Sequence, residues 1–214
     1  NPERVTAKEI SEVIKHPEAI NVEYYADAKI QLMELELKIN SPLVDKKIKN
    51  LDTSIPYNIV SITRKHRMLV PSGDDKLQIG DHIHLMARTS DMRDVVRLLG
   101  FYSHKVDTCV ILGGGRTGYY LAKILEQNKP AMKVKIIEKD MVRAQQISQK
   151  LKHTLVINGD GSDYELLEEE NVMSSDLFVA VTEDDKINLL CSLIARNLGV
   201  KKTICQVKRT DVLP

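Results

Sequence analysis

Cysteine is scarce in this sequence, neither sign of charge is in excess, and no long apolar run occurs. The three cysteines, Cys109, Cys191 and Cys205, lie in apolar stretches without C-x-x-C spacing, so we expect reduced, buried thiols rather than a zinc or redox site. With 31 Lys and Arg against 30 Asp and Glu, no positive field favours nucleic acid or an anionic membrane as partner. No segment reaches the roughly 18 apolar residues of a spanning helix, and the first residues do not resemble a signal peptide. We therefore expect a cytoplasmic protein that does not insert into a membrane.

The 214 residues are enough for two small globular domains, each with its own core. Short strands separated by turn residues fill residues 21–104, with a closing helix at about residues 91–99, and predict a small α+β domain. Residues 105–214 alternate apolar strands with amphipathic helices, which predicts a Rossmann-like doubly wound parallel sheet with helices on both faces. The fold class is therefore α/β, and we expect the domain boundary in the polar segment Phe101–Lys105.

Local patterns in the first half give more specific expectations. A first helix is predicted to begin at the capping-box pattern Thr6-x-x-Glu9. A second, short helix is expected to start at Ser41-Pro42, because proline is favoured in the first turn of a helix. The strand that begins at Ile30 is expected to contain a bulge, because the spacing of its apolar residues shifts by one position.

The strongest motif is a glycine-rich turn that fits the pattern G-x-G-x-x-G. It follows a predicted strand and opens a predicted helix, the context in which this pattern binds a dinucleotide. The first glycine permits a tight turn, the second lets the backbone approach a pyrophosphate, and the third lets the helix pack closely on the strand. The helix N-terminus then offers unpaired N–H groups to the phosphates. The alternative is a glycine turn kept for packing alone. The residues of the motif are Gly113, Gly114, Gly115, Arg116, Thr117 and Gly118.

An acidic residue follows the glycine motif at the distance expected for ribose recognition. Glu138 ends the second strand of the predicted sheet, about 20 residues beyond Gly118, where a carboxylate accepts hydrogen bonds from the ribose hydroxyls. Its charge would repel a 2′-phosphate, so we expect NAD(H) to be preferred to NADP(H). The positive charge of Lys139, the next residue, weakens that preference.

Two further strand ends point toward the same crevice, because ligands of such sheets bind outside the carboxyl ends of the strands. Asp160 follows the third strand and either accepts a hydrogen bond from an adenine amino group or is a turn residue without a ligand. Thr182 and Glu183 follow the fourth strand and are expected to line the site. Helix N-caps are also predicted here, and capping is the favoured role of Thr182. The patterns that predict these caps are Ser162-x-x-Glu165 and Thr182-x-x-Asp185.

The second half resembles the nucleotide-binding domain of the RCK or KTN family, cytosolic regulators of potassium channels and transporters. That resemblance rests on the glycine turn with its Arg116, on Glu138, and on the segments Gly159–Gly161 and Thr182–Leu189. The first half resembles the small C-terminal regulatory domain of the same family. The segments that carry this second resemblance are Lys29–Leu37, Ser41–Lys47 and Ile79–Asp81.

The order of the two halves has its own implication within that family. TrkA-type members carry two copies of a nucleotide-binding domain followed by a small domain. The resemblance therefore implies that residues 1–20 hold a helix connecting from a preceding nucleotide-binding domain, and that the chain is a fragment joining one copy to the next. The start at Asn1 rather than Met, and the end at Pro214 soon after a predicted strand, agree with that expectation.

The resemblance also implies a function. It predicts a regulatory subunit that binds NAD(H), or ATP and ADP, and gates a membrane potassium transporter from the inner face of the cell membrane. Arg116 is then expected to face the phosphates, as its charge allows. A homo-oligomer is expected, because the apolar face of the first helix would otherwise be exposed.

A fragment of an NAD-dependent dehydrogenase is the alternative, since this architecture serves many functions. Catalysis would need a reactive group beside the cofactor, and the only histidine of the predicted sheet domain, His153, lies at the head of its strand, away from the ligand edge. We therefore expect no enzyme activity. A metal is not expected either: His82 and His84 share a strand face and can hold one, but we favour their facing water, because Ile83 and Leu85 point inward.

Overall fold

The computed structural model describes residues 2–101 and 105–208. Helix α1 (Pro2–Lys15) opens the chain. The chain divides into two compact units, an α/β unit of Asn1–Ile14 with Lys105–Pro214, and a small unit of Lys15–His104. Three residues of the predicted boundary segment, 102–104, lie outside the described residues. Over the two described ranges, no helix combines the length and the apolar character needed to cross a membrane.

The small unit combines an antiparallel sheet with the predicted closing helix. The sheet has the strand order β1-β2-β5-β3-β4. Its core-facing side chains include Met33, Leu35, Ile83 and Leu85, all fully buried, and they alternate with partly exposed residues along the two strands that carry them. The elements are β1 (Asn21–Tyr25), β2 (Ile30–Glu36), β3 (Tyr57–Arg64), β4 (Arg67–Leu69), β5 (His82–Arg88) and α2 (Met92–Leu98).

The bulge predicted in β2 is wrong. β2 pairs without a break with both β1 and β5, and its buried positions alternate regularly from Gln31 onward. Gln31 is 1% exposed and occupies a core-facing position, so Ile30 lies on the opposite face and the apparent shift in apolar spacing disappears. The register shift of this sheet lies instead in β3, between Ile59 and Ser61.

The short helix predicted after Pro42 is also wrong. The described segment forms turns, followed by a single 3₁₀ turn at Ile48–Asn50. Asp45 has a φ of 64°, which is incompatible with a right-handed helix. Its N–H donates to the carbonyl of Leu77 (2.8 Å), and the N–H of Leu77 donates to the carbonyl of Lys46 (3.0 Å). Pairing with a distant segment therefore replaces the local helical hydrogen bonds.

The α/β unit has the predicted Rossmann-like parallel sheet. Its strand order is β10-β9-β6-β7-β8, and every pair is parallel. The carboxyl ends of β6, β7 and β9 consequently meet at one edge, and the strand order reverses beside β6. The elements are β6 (Thr108–Leu112), α3 (Arg116–Asn128), β7 (Lys133–Glu138), α4 (Met141–Ser148), β8 (Leu155–Asn158), α5 (Tyr164–Glu169), β9 (Leu177–Ala180), α6 (Asp185–Asn197) and β10 (Lys202–Cys205).

Helix α1 packs on this parallel sheet. Ala7, Ile10 and Ile14 are buried in one apolar cluster with Leu121 of α3 and Ile136 of β7. Helices α5 and α6 contribute to the cluster on the opposite face. The expectation of an exposed apolar face on the first helix is therefore wrong within the described residues, because that face covers the sheet of its own chain.

The predicted start of α1 is wrong as well. The chain is already helical at Pro2, ahead of the capping-box pattern at Thr6. Proline suits the first turn of a helix, where its missing N–H has no intrahelical partner to lose. Glu3 then places a negative charge near the positive end of the helix dipole. These two residues account for the earlier start.

A single carboxylate fastens the amino-terminal edge of the parallel sheet. Asp176, just before β9, accepts hydrogen bonds from the N–H groups of Asp107 (3.0 Å) and Thr108 (3.1 Å) and from the Thr108 hydroxyl (2.9 Å). Its other oxygen lies 2.8 Å from Nζ of Lys201, just before β10. The Lys201 ammonium, together with the backbone and hydroxyl donors, lowers the pKa of Asp176 from 3.8 to about 2. Asp176 thus joins the starts of β6, β9 and β10.

We expect Asp176→Asn to lower the free energy of unfolding at pH 7 by about 2 kcal/mol, because the depressed pKa favours the ionised carboxylate in the folded state. This contribution is present above pH 3.8 and is lost as the pH falls toward 2, so parent and variant should converge in acid. Urea unfolding of parent and variant at pH 7 and near pH 2 measures the difference in the free energy of unfolding. The control is Asp107→Asn, an exposed carboxylate beside Lys105, which should cost less than about 0.5 kcal/mol. Equal losses in the two variants would refute the role of Asp176.

Candidate functional site

The glycines of the turn between β6 and α3 differ in whether the fold leaves room for a side chain. Gly113 has a φ of 101°, and a Cβ there would lie 3.0 Å from the backbone nitrogen of Thr182. A Cβ on Gly118 would clash with the carbonyl oxygen of Gly113, so α3 packs closely on β6 only without one. Gly115 differs, because its φ of −62° and ψ of −171° suit any residue and no atom lies within 4 Å of an added Cβ. A side chain at Gly115 would therefore fill open space without disturbing the fold.

Glu138 uses both of its carboxylate oxygens to hold backbone. It is 6% exposed. Oε2 accepts a hydrogen bond from the N–H of Gly114 (2.6 Å), and Oε1 accepts one from the N–H of Asp140 (2.8 Å). Arg143 places Nη1 3.9 Å from Oε2. Because each carboxylate oxygen accepts about two hydrogen bonds, Glu138 retains acceptor capacity toward the cavity that it lines.

Asp160 is tied to two neighbours. Its Oδ2 lies 2.7 Å from Nζ of Lys139, and its Oδ1 accepts hydrogen bonds from the N–H (3.0 Å) and hydroxyl (2.7 Å) of Ser162. The hydrogen bond from Lys139, followed by those from Ser162, lowers the pKa of Asp160 to about 2. The turn role is thus observed. An adenine amino group would have to share Asp160 with Lys139, whose side chain is 79% exposed and can swing away.

Thr182 is held by the buried side chain of Asn188, for which the sequence predicted no individual role; it was named only within the segment Thr182–Leu189 that carries the family resemblance. Asn188 of α6 is fully buried, and its Oδ1 accepts hydrogen bonds from the N–H (2.8 Å) and hydroxyl (2.7 Å) of Thr182. Its Nδ2 donates to the carbonyl of Thr182 (3.1 Å) and to that of Gln206 (3.0 Å). Asn188 therefore joins the turn after β9 to the segment after β10.

The predicted N-caps at Ser162 and Thr182 are both wrong. Asp163 caps α5, accepting from the N–H at position 165, and Asp184 caps α6, accepting from those at positions 186 and 187. A carboxylate complements the positive end of the helix dipole better than a hydroxyl does. The two hydroxyls instead organise the turns at the ligand edge.

Two adjoining cavities open at the carboxyl edge of the parallel sheet. The smaller, of about 260 Å³, borders the end of β7 and the turns after β8 and β9. The larger, of about 900 Å³, lies over the start of α3, between α4 and the first turn of α1. The smaller is lined by residues that include Gly113, Glu138, Lys139, Gly159, Asp160, Asp184 and Ile187. The larger is lined by residues that include Glu3, Thr6, Arg116, Thr117, Gln146, Lys150 and Lys208. Both are lined by Gly115, Arg143, Val181, Thr182 and Glu183.

The structure brings most of the predicted site residues together. Every one except Gly118 lines one or both cavities, and Gly118 lies against Gly113. Of the basic side chains that line the larger cavity, the sequence predicted only Arg116 as a site residue and did not indicate Arg143, Lys150 or Lys208. Arg143 of α4 and Lys150, two residues beyond its end, lie seven positions apart. This spacing is close to two helical turns, so the sequence does contain a signal that they share one side. Lys208 gave no such signal.

The histidine pair of the small unit faces an acid as well as solvent. Nδ1 of His82 lies 2.7 Å and Nε2 of His84 lies 4.0 Å from the carboxylate of Glu34 on the neighbouring strand. The expectation that these histidines simply face water is therefore incomplete. Within residues 2–101 and 105–208, no group of three His, Cys, Asp or Glu side chains is arranged to hold a metal.

The thiols follow the sequence expectation in two cases out of three. Cys109 and Cys191 are buried and free, whereas Cys205 is partly exposed. Burial raises the pKa of Cys109 to about 12. Burial is also the largest of the causes that raise the pKa of Cys191 to about 11. Both thiols are consequently protonated at neutral pH and are poor nucleophiles.

The sequence matches two family models in succession, a TrkA-C domain over residues 32–100 and a TrkA-N domain over residues 109–212. It is 34% identical over 213 residues to the Trk system potassium uptake protein TrkA homolog 2 of Methanosarcina mazei, covering 100% of this chain and 47% of that protein. It is 32% identical over 207 residues to the Trk system potassium uptake protein TrkA of Halomonas elongata, covering 95% of this chain and 45% of that one. The chain thus spans about half the length of these relatives.

The fold is similar to that of solved RCK domains. The GsuK RCK domain superposes with a TM-score of 0.59 at 17% identity, covering 92% of this chain and 41% of that chain. The GsuK channel bound to NAD superposes with a TM-score of 0.58 at 18% identity, covering 92% of this chain and 34% of that chain. At this level of identity the likeness concerns the fold.

We expect Asn188→Asp to lower the free energy of unfolding at pH 7 by about 2 kcal/mol or more, because a buried carboxylate would face the carbonyl oxygens of Thr182 and Gln206. Thermal unfolding of the two proteins measures the loss. The matched control is Asn197→Asp at the exposed end of the same helix, which should lose less than about 1 kcal/mol. Similar losses at both positions would exclude a bridging role for Asn188.

Proposed function

The chain belongs to the TrkA family through its successive TrkA-C and TrkA-N domains, and from this membership we propose that its α/β unit binds an adenine nucleotide and regulates a membrane potassium transporter. The ligand is NAD(H), or ATP and ADP. The observation that carries this proposal is the open side of Gly115, which faces both cavities beside the buried carboxylate of Glu138. A pyrophosphate needs such an approach to backbone N–H groups at a helix start.

The charges along the two cavities fit the parts of such a ligand. Glu138 borders the smaller cavity with acceptor capacity for the ribose hydroxyls. Arg116, Arg143 and Lys150 border the larger one, where their positive charges would attract phosphates. The adenosine thus belongs in the smaller cavity and the phosphate groups at the start of α3.

We propose regulation rather than catalysis as the role of the bound nucleotide. The relatives support this choice, because they are named as proteins of a potassium uptake system, and the Arg and Lys side chains that line the two cavities suit the binding of an anionic ligand. The alternative, an NAD-dependent dehydrogenase, predicts hydride transfer. Incubation with NAD and a panel of alcohols, aldehydes and hydroxy acids, followed at the absorbance of NADH, distinguishes the two: turnover would favour the dehydrogenase.

The rest of the proposal rests on membership of the TrkA family. We propose that residues 1–20 connect from a preceding nucleotide-binding domain and that residues 21–104 form the regulatory domain. Residues 105–214 form the nucleotide-binding domain, and helix α1 of the connecting segment packs on its sheet. The protein acts as a homo-oligomer in the cytoplasm, at the inner face of the membrane, through its contact with the transporter. Isothermal titration with NADH, NAD, ATP and ADP tests the central claim directly, and failure of all four to bind would refute it.

We expect Gly115→Val to abolish nucleotide binding while the protein stays folded, because the added side chain meets only open space in the protein but occupies the path of the diphosphate. Titration with NADH and ATP, with circular dichroism as the check on folding, measures both effects. Gly114→Val is the contrasting variant: its Cβ would lie 2.5 Å from Cδ1 of Ile147 and 3.1 Å from Oε2 of Glu138, so it should also lose stability. A folded Gly115→Val protein that binds as tightly as the parent would show that the diphosphate lies elsewhere.

We expect the parent to bind NADH at least about tenfold more tightly than NADPH, because hydrogen bonds to a charged acceptor contribute about 1.5–3 kcal/mol each and a 2′-phosphate would meet the charge of Glu138. Glu138→Gln should narrow that ratio and weaken NADH binding. It should also reduce stability, since an amide can accept from only one of the N–H groups of Gly114 and Asp140 through its oxygen. Competition titrations measure the ratio in both proteins. Equal affinities of the parent for NADH and NADPH would remove Glu138 from the ribose site.

A further inference from the structure

The first turn of α1 shares the larger cavity with the glycine turn. Pro2, Glu3 and Thr6 line this cavity opposite Arg116. Oε1 of Glu3 lies 3.4 Å from Nη1 of Arg116, the first residue of α3. Both residues belong to the α/β unit. The proposed phosphate-binding arginine therefore has a carboxylate partner from the same chain.

The ion pair between Glu3 and Arg116 is weak enough for an anionic ligand to replace Glu3. The Arg116 side chain is 76% exposed and that of Glu3 is 33% exposed, and exposed pairs of this kind contribute little to stability. A phosphate offers the guanidinium the same charge with more acceptor oxygens, in a geometry that allows two parallel hydrogen bonds. An anionic ligand that reaches Arg116 can thus displace Glu3 at a small cost.

Glu3 also lowers the positive charge of a cavity that would otherwise be strongly basic. Arg116, Arg143, Lys150 and Lys208 line this cavity, and Glu3 is one of two acids among its lining residues. A carboxylate beside Arg116 opposes each additional phosphate charge that arrives there. It has less effect on a ligand whose only phosphate stays at the glycine turn, because the interaction between charges weakens with distance and screening.

We propose that Glu3 is a specificity-determining residue of the nucleotide site, which competes with the terminal phosphates of a nucleoside polyphosphate for Arg116. This inference rests on the proposed function. Glu3 reduces the advantage of a triphosphate over a monophosphate. Binding of the longer polyphosphate separates Glu3 from Arg116, so the first turn of α1 detects the number of phosphates on the ligand.

The test is the affinity ratio of ATP to AMP in the parent chain and in Glu3→Gln, measured by titration at fixed ionic strength. We expect Glu3→Gln to raise the affinity for ATP about two- to fivefold, the range of an exposed ion pair, and to leave the affinity for AMP within about twofold. The matched control is Glu9→Gln, which removes the same charge from an exposed position of α1 that does not line the cavity. It should leave the ratio unchanged.

A double-mutant cycle with Arg116→Gln separates the direct contact from a general change in charge. In the Arg116→Gln background, Glu3→Gln should no longer change the ATP-to-AMP ratio beyond about 1.5-fold. An unchanged ratio in Glu3→Gln, or an equal change in Glu9→Gln, would overturn the role of Glu3 while leaving the nucleotide site intact. Failure of the parent to bind either nucleotide would overturn the proposed function and this inference together.

Discussion

The carboxylate of Glu138 makes the contacts on which the carboxyl edge of the parallel sheet depends. It is buried, and it accepts hydrogen bonds from the N–H of Gly114 and from that of Asp140. A buried carboxylate needs hydrogen-bond donors to replace its lost hydration. The N–H groups of Gly114 and Asp140 supply such donors, so the carboxylate and these two groups fix one another. The turn after β6, the end of β7 and the start of α4 are thereby held in one arrangement. Both cavities border this arrangement.

The two edges of the parallel sheet use polar side chains for different purposes. At the amino-terminal edge, acids are saturated by backbone donors: Asp176 accepts from residues 107 and 108, and Glu126 accepts from residues 152–154 at the start of β8. At the carboxyl edge, the buried side chain of Asn188 fixes the turn after β9 through hydrogen bonds to Thr182 and Gln206. Arg116 lines the larger cavity at the same edge. Carboxylates thus hold the amino-terminal edge together, whereas the carboxyl edge carries the two cavities, at the place where the strand order reverses.

Local sequence patterns predicted some features correctly and misled for others, for an identifiable physical reason. The pattern Thr182-x-x-Asp185 predicts that Thr182 caps α6. The carboxylate of Asp184 is a better acceptor and caps the helix instead. Similarly, the apolar spacing in β2 suggests a bulge unless Gln31 occupies the core-facing position, which it does through contacts with His16 (3.2 Å) and the Tyr24 hydroxyl (3.4 Å). In each case the outcome was decided by a residue at a position that the pattern leaves unspecified, Asp184 in the first and Gln31 in the second.

The sequence by itself determined the parallel sheet, the glycine turn and the position of Glu138, because strand and helix periods and the spacing of the nucleotide motif are local properties of the chain. Only the tertiary structure decided which other side chains meet at the turn. Glu3 reaches Arg116 across 113 positions of sequence, because α1 covers the sheet face beside α3. Lys208 reaches the same cavity because β10 lies at the edge of the sheet. Such contacts depend on strand order and helix packing, which no local pattern records.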